Sequence, residues 1–357
     1  MRVGVNARTF GVDEPGGAVQ SAINHTKGLI NHGNTDVILF GHESISSMFP
    51  DTTIVSTGYP TSSQLYGLLW ERTVLPQLGN RYDIDVLYCP NGNAPVTETS
   101  FRVAMCLHDV NAMKGWSSGA HQIYRKIAVP RSAEVVDTII TVSEFSAEEI
   151  NTHLGVPMSK IEVVYNGIDD FFFSGESKYL PELSENYILF VGSLNPRKNI
   201  KRVIKSFAKV QQSIEQNYNL VIIGPDNKSI FKNMNISEAE DIITPGFVSK
   251  AELKYAYEQA DAFVFPSLYE GFGLPPLEAL ACGTPAVTST TTSLGEIMKK
   301  GCIQVNPKSI EEISLAILRL LRDNCLSDKL GTEGMAYSKE FTWQSASESL
   351  YEALKST

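Results

Sequence analysis

The residue types best suited to chemistry cluster in one stretch, Phe263-Val-Phe-Pro-Ser-Leu-Tyr-Glu-Gly-Phe-Gly-Leu-Pro-Pro-Leu-Glu278. An apolar strand runs to Pro266, and Glu270 then opens a turn containing Gly271 and Gly273. Pro275 and Pro276 suit the first turn of a helix, where a missing N–H costs nothing. The same spacing puts Glu278 inside that first turn. Strand, glycine turn and helix start together expose outward-pointing N–H groups at the positive end of a helix dipole, which favours an anion. Glycine also lets a ligand approach the backbone closely. Two carboxylates flank this anion site. Each has a plainer reading: Glu278 could cap its helix, and Glu270 could be a solvated loop residue.

A second stretch, Phe190-Val-Gly-Ser-Leu-Asn-Pro-Arg-Lys-Asn-Ile200, repeats the pattern of a strand end followed by a helix start. Arg197 and Lys198 sit just before that helix, with Asn199 as a candidate cap. Cations are unfavourable at a helix N-terminus. Two of them there make sense if a phosphate sits between them, because both side chains pair well with phosphate oxygens. The plainer reading is an exposed basic turn. Two weaker candidates lie nearer the start. Gly16-Gly17 precedes a helix and could admit a phosphate or sugar, although an ordinary loop explains it as well. His108-Asp109 follows the strand ending Met105-Cys106-Leu107, which places His108 at a carboxyl edge, although a lone histidine there is more often structural.

Other chemistries find little support. Asp83-Ile84-Asp85 looks like a metal-binding Asp-x-Asp, but it falls at the start of a strand and reads as a turn and cap. The six histidines lack metal-ligand spacing. Neither a nucleophile elbow nor a P-loop lysine motif occurs. No metal is expected.

These motifs must be positioned by a framework of short apolar strands alternating with segments of helical period, the pattern of parallel sheets with crossover helices. In the first half strands are expected at Val3–Asn6, Asp36–Phe40, Asp85–Cys89, Arg102–Leu107, Asp137–Val142 and Ile161–Tyr165. A helix is expected over Ala18–His32, and Ser143 and Ser146 are candidate caps for another. The pattern breaks over Asn166–Leu183, which reads as a linker. The second half predicts strands at Tyr187–Val191, Leu220–Ile223, Ala262–Phe265, Ala286–Thr288 and Ile303–Val305. Helices are predicted at Ile200–Gln212, Lys250–Ala260, Pro276–Cys282, Ile310–Arg322 and Trp343–Leu354. The expected class is α/β, as two doubly wound domains facing a cleft.

Bulk properties agree with a folded two-domain chain. Its 357 residues exceed one ordinary core, and 43% hydrophobic with 20% charged residues fits a globular protein. A formal charge of −10 argues against a nucleic-acid partner, which needs a cationic face. The start lacks a signal-peptide pattern, and no apolar run is long enough to span a bilayer. Five cysteines without paired metal-type spacing read as reduced thiols, so a cytoplasmic location is expected.

The motifs resemble glycosyltransferase family 4, retaining enzymes with the two-domain GT-B fold. The resemblance runs through Leu69-Trp-Glu-Arg-Thr-Val-Leu-Pro76, His108-Asp109, Val142-Ser-Glu-Phe-Ser146, Val164-Tyr-Asn-Gly-Ile-Asp169, Val191–Asn199 and Phe265–Glu278. Glu270 and Glu278, seven residues between them, match the family's E-x7-E pattern. The resemblance implies that Glu270 contacts the transferred sugar and that N–H groups from Phe272 to Leu274 bind sugar hydroxyls or diphosphate. It places Glu278 on the ribose hydroxyls, Arg197 and Lys198 on the leaving diphosphate, and His108 near the donor sugar. Gly17 would let a loop pass close to phosphate, and the strand around Gly246-Phe-Val248-Ser249 would bind the base. It implies an acceptor-binding domain over residues 1–168, with a final helix at 343–357 packing back on it, and a donor domain over 169–342. Two departures stand out: Ser193 where many relatives carry Arg, and Lys299-Lys-Gly-Cys302 where Gly-Asp-Ala is usual.

The implied activity is metal-independent hexosyl transfer from a nucleoside diphosphate sugar to a glycan or lipid-linked acceptor hydroxyl. GDP-mannose is favoured among donors, with a UDP-sugar as the alternative. A sugar-nucleotide epimerase or hydrolase, or a non-catalytic sugar-nucleotide-binding subunit, would share the same residues. Tyr66–Leu78 and the basic stretch around Lys114, Arg125, Lys126 and Arg131 are candidates for peripheral contact with the inner face of a membrane. Core packing and a solvated face are the plainer readings of each.

Overall fold

A computed structural model describes residues 1–11, 16–56, 64–111, 113–114, 120–183, 185–224 and 241–357. The chain divides into two compact units, Met1–Gly167 with Trp343–Thr357, and Ile168–Thr342.

In the first unit β1 (Arg2–Asn6), α1 (Gly17–Asn31), β2 (Asp36–Phe40) and β3 (Thr53–Val55) are followed by α2 (Gln64–Arg81), β4 (Val86–Cys89) and β5 (Arg102–Cys106). Then come α3 (Ala120–Val135), β6 (Thr138–Thr141), α4 (Glu144–Leu154) and β7 (Ile161–Val163). The strands form a parallel sheet in the order β3-β2-β1-β4-β5-β6-β7. Side chains alternate between its faces, as the two-residue strand period requires. Val37 and Leu39 join the core containing Val3, Val5, Ala22 and Leu29, whereas Ile38 and Phe40 join the opposite core with Trp70, Leu75 and Leu78. Trp70, Leu75 and Leu78 are thus core residues, and in this segment Leu69 is exposed. Of the basic stretch, Lys114 pairs with Glu149, Lys126 and Arg131 are exposed, and the Arg125 side chain lies outside the described residues.

Two details differ from expectation at α4. Ser143 is its N-cap, accepting from the Ser146 N–H, and Ser146 is a buried residue of the first turn rather than a cap. The Asn166–Leu183 stretch is not wholly irregular, since Phe171–Ser174 forms a short helix, α5, with Phe172 buried.

The second unit continues with β8 (Tyr187–Val191), α6 (Ile200–Gln211), β9 (Asn219–Ile223), β10 (Ile242–Gly246), α7 (Lys250–Glu258) and β11 (Ala262–Phe265). It ends with α8 (Leu274–Ala281), β12 (Ala286–Ser289), α9 (Thr292–Ile297), β13 (Cys302–Val305), α10 (Ile310–Arg322) and α11 (Asn324–Ser338). Its parallel sheet has the order β10-β9-β8-β11-β12-β13. The final helix, α12 (Trp343–Ser356), belongs to the first unit and packs on α1. The approach there is tight: a Cβ on Gly28 would lie 1.6 Å from Ser347 Oγ. The five cysteines are free thiols. Among the described residues no helix is long and apolar enough to cross a membrane.

Candidate functional site

The order of the second sheet reverses between β8 and β11, because the chain leaves β8 towards β9 and returns to β11 on the other side. Ligands of open α/β sheets bind outside the carboxyl ends of strands at such a reversal. The two loops leaving that point carry the two motifs singled out from sequence. After β8, Asn195 caps a short 3-10 turn, Pro196–Lys198, by accepting from the Arg197 N–H at 3.1 Å. That turn is stitched to the loop after β11. The Leu268 N–H donates to the Arg197 carbonyl at 2.7 Å, and Arg197 Nη1 donates to the Tyr269 carbonyl at 3.0 Å. Asn199 does not cap α6 with its side chain. Its Nδ2 instead donates to the Pro266 carbonyl at 2.8 Å and the Pro307 carbonyl at 2.6 Å.

Stitching the loops brings three charges together. Arg197 Nη1 lies 2.9 Å from Glu270 Oε2, and Lys198 Nζ lies 2.8 Å from Oε1, two close ion pairs. Lys198 also stands 4.6 Å from the centre of the Phe265 ring, a cation–π contact. The Glu270 side chain is 8% exposed, Lys198 10% and Arg197 21%, so Arg197 is the member of the cluster a ligand reaches most readily. Burial works to raise the Glu270 pKa, but Lys198 and Arg197 outweigh it and hold it below the usual carboxylate value. Glu270 is therefore not a solvated loop residue. It holds the two cations side by side in a poorly hydrated place. A polyphosphate suits such a pair of donors.

The glycine turn follows directly. Gly273 is the N-cap of α8 at φ +116°, a conformation disfavoured for side-chain-bearing residues, and a Cβ there would meet Leu294 Cδ2 at 2.6 Å. Ser293 Oγ stands 3.0 Å from the carbonyl oxygens of both Glu270 and Phe272 and donates to one at a time, fixing the turn. Leu274 is the first helical residue, so Pro275 and Pro276 remove the next two N–H groups. The donors at this end are those of the turn up to Leu274.

Glu278 stands in the second turn of α8, not the first as its spacing predicted, because the helix starts at Leu274. It caps nothing. Its Oε2 accepts from the Tyr257 hydroxyl at 3.1 Å. Burial pushes its pKa up to about 7, against the opposing Tyr257 hydrogen bond and the charge of Lys250. Val248 is half-buried just after β10, at the same carboxyl edge but two strands from the reversal, and Phe247 beside it is 62% exposed. Ser193 is half-buried two residues after β8.

The other candidates belong to the first unit. His108 lies at the carboxyl edge of the sheet two residues past β5, with Nε2 3.2 Å from the Pro90 carbonyl and 3.7 Å from Cys106 Sγ. A carbonyl only accepts, so that contact puts the proton on Nε2. Gly17 opens α1 and Gly16 is its N-cap. Among the described residues a Cβ on either would meet nothing within 4 Å. Asp85 accepts from the Arg2 N–H at 2.6 Å, the capping role read from sequence. Among the described residues no group of three or more His, Cys, Asp or Glu is arranged to hold a metal.

Sequence reasoning passed over a second buried cluster in the first unit, where Asn6, Arg8 and Glu71 meet. The available signal was Asn6 and Arg8 following directly on the first strand, at a functional edge.

The family described as Glycosyltransferase Family 4 matches residues 15–170, and that described as Glycosyl transferases group 1 matches residues 176–336. The chain belongs to the family 4, group 1 glycosyltransferases. Among similar proteins are O-antigen chain mannosyltransferase B of Escherichia coli, 30% identical over 243 residues, and O-antigen chain mannosyltransferase RfbU of Salmonella typhimurium, 32% identical over 227 residues. These matches cover 65% and 60% of this chain and 64% and 62% of the relatives, so the chain aligns with under two thirds of their length. The solved structure of Anabaena Alr3699/HepE in complex with UDP-glucose superposes with a TM-score of 0.77 over 100% of both chains at 16% identity, which shows a shared fold. Two parallel-sheet α/β units of the GT-B type are thus common to this glycosyltransferase and its structural neighbours.

Proposed function

We propose that this glycosyltransferase moves a hexosyl group from a nucleoside diphosphate sugar to a hydroxyl of a glycan acceptor, retaining the anomeric configuration. The observation that carries the reading is the Arg197–Glu270–Lys198 cluster at the β8/β11 reversal, with two cations held side by side next to a glycine turn. In the reaction the bond from the anomeric carbon to the phosphate oxygen breaks, and its electron pair goes to the departing diphosphate. A bond forms from the acceptor oxygen to the anomeric carbon, and the acceptor proton passes to the leaving phosphate. Arg197, Lys198 and the N–H groups from Phe272 to Leu274 stabilise the charge that develops on the leaving group, the preorganised arrangement that lowers such barriers most. Because these residues supply positive charge, we propose that transfer proceeds without a metal.

Gly271 and Gly273 admit the donor close to the backbone. Glu278 accepts from the ribose hydroxyls, and the loop at Val248, with the exposed Phe247 ring, holds the base. Glu270 orders both cations and faces the sugar. His108 acts near the donor sugar, Gly17 lets its loop pass close to phosphate, and the first unit otherwise serves the acceptor. Mannose from GDP-mannose is the proposed donor group, since the relatives named above are mannosyltransferases, while HepE was solved with UDP-glucose. A thermal-shift panel of GDP-, UDP-, ADP- and dTDP-sugars tests this directly, because a ligand that binds only the folded state raises its apparent stability. Stabilisation by GDP-mannose is expected. Stabilisation by none of the four overturns the sugar-nucleotide reading, and turnover of a donor without acceptor would indicate an epimerase or hydrolase.

A further inference from the structure

The first sheet has its own reversal, between β1 and β4. The chain segments leaving those strands at their carboxyl ends are Asn6–Thr9 and Pro90–Asn93, which include no residue of the donor assignment. They hold a buried polar cluster. Glu71, projecting from α2, is 2% exposed, and its Oε1 accepts from Arg8 Nε at 2.9 Å and from Asn6 Nδ2 at 3.1 Å. Its Oε2 has no hydrogen-bond partner, and neither has Asn91 Oδ1, although both atoms are buried. Asn91 Nδ2 donates to Thr9 Oγ1, tying the two segments together.

A half-satisfied buried ion pair is a poor way to stabilise a fold, since each unmet polar atom bears its full desolvation cost. Two unmet acceptors at a strand-order reversal therefore point to a ligand that brings donors. The Arg8 head is also positioned by absence. A Cβ on Gly67 of α2 would lie 2.3 Å from Arg8 Nη1, so the guanidinium rests in the space that a missing side chain leaves. Arg8 is partly exposed, and its Nε bond to Glu71 leaves the Nη edge turned away from that carboxylate oxygen.

The unmet atoms decide what fits. Arg8 pairs with Glu71, and Arg72 also acts on it electrostatically. Both unmet atoms are acceptors, and an added phosphate or carboxylate would bring only further acceptors beside Glu71. Hydroxyl groups suit it better, since each can accept from Arg8 and donate to an unmet oxygen.

We propose that Arg8 and Asn91, with Glu71 as the residue that positions Arg8, form a binding site for the uncharged, hydroxyl-bearing sugar end of the acceptor. The proposal rests on the transferase reading, and its test separates the two. The probes are methyl α-mannoside, methyl α-glucoside and methyl α-galactoside, with mannose 6-phosphate and glucuronate as anionic counterparts. Binding is followed by saturation-transfer NMR in the presence of the nucleoside diphosphate found by thermal shift. At least one neutral hexoside is expected to bind, and the anionic probes more than tenfold less well. Arg8→Ala and Glu71→Gln should each weaken the hexoside at least tenfold while leaving nucleotide affinity within twofold.

Gly67→Ala is the decisive variant. It removes no charge and improves helix propensity, so thermal stability should hold or rise while hexoside affinity falls. Loss of nucleotide binding in every protein would sink the transferase reading instead. The acceptor-site proposal is overturned if no neutral hexoside binds, if the anionic probes bind equally well, or if Arg8→Ala and Gly67→Ala retain wild-type hexoside affinity.

Discussion

Replacing Glu270 by Gln gives a prediction that sequence motifs alone would get backwards. A residue read only as a sugar contact should, when neutralised, weaken everything the donor does. The structure shows Glu270 within 3 Å of both cations, at 2.9 Å from Arg197 and 2.8 Å from Lys198. A phosphate oxygen paired to Lys198 from its other side would lie roughly 5–6 Å from the carboxylate, where two unit charges repel by about 3 kcal/mol at an effective dielectric of 20. Even half of that is about tenfold in affinity. Glu270→Gln should therefore bind the nucleoside diphosphate product about tenfold more tightly, measured by calorimetry. Transfer should fall, because product is held and the sugar contact is lost. The same substitution takes the counter-ion from buried Lys198 and partly exposed Arg197 and should cost roughly 3 kcal/mol of folding stability. The pH dependence follows from the lowered pKa of Glu270. Its stabilising contribution is complete above the unfolded-state pKa and is lost as pH falls through the folded-state pKa. Acid sensitivity should thus shrink in the variant. Nucleotide affinity that falls in Glu270→Gln as far as in Lys198→Ala would refute this reasoning.

Other expectations follow from neighbouring geometry. Glu278 has its pKa raised to about 7, so its protonated form favours the fold below the unfolded pKa near 4.5, an advantage lost as pH rises towards 7. Glu278→Gln should be more stable than wild type at pH 8, with the difference closing near pH 4.5 in denaturant titrations. Because ribose hydroxyls favour the ionised acceptor, wild-type nucleotide affinity should rise through pH 7, and a flat profile in wild type would contradict that role. Gly28→Ala drives a methyl into Ser347 on α12 and should cost about 1–3 kcal/mol by thermal unfolding, the usual range for overpacking. An unchanged melting temperature would show that the two helices separate freely. Chelation by EDTA should leave the transfer rate unchanged, and its abolition would show that Arg197 and Lys198 do not suffice for the diphosphate.

Much of this architecture was legible in the sequence because each unit repeats one local rule. Tyr187–Val191 and Ala262–Phe265 are short apolar runs bounded by turn residues, and Ile200–Gln211 buries Ile200, Val203, Phe207 and Val210 at helical spacing. Elements that escaped have weak versions of those signals. Strand β10 is an edge strand with a proline and a shifted register, and β3 has three residues. Helix α11 buries two glycines, Gly331 and Gly334, rather than an apolar stripe, so its packing signal is invisible to a hydrophobic period. At the site, the motif residues were found by type and spacing, but their pairing was not. Arg197 and Lys198 meet Glu270 only because β8 and β11 are sheet neighbours, a fact of topology. The helix-dipole argument singled out two cations before a helix start, yet it could not show that both lie against Glu270. Glu278 was misplaced by a single turn because α8 starts at Leu274, so both prolines lie two residues deeper in it than expected.

The central claim is that Arg197 and Lys198 at the β8/β11 reversal stabilise a departing nucleoside diphosphate. Steady-state hexosyl transfer by Lys198→Ala, assayed with the donor identified by thermal shift, tests it most directly. Loss of the cation should lower kcat by two orders of magnitude or more, on the scale of about 3 kcal/mol for removing one such stabilising group, with the protein still folded. A near-normal kcat in Lys198→Ala would contradict the account.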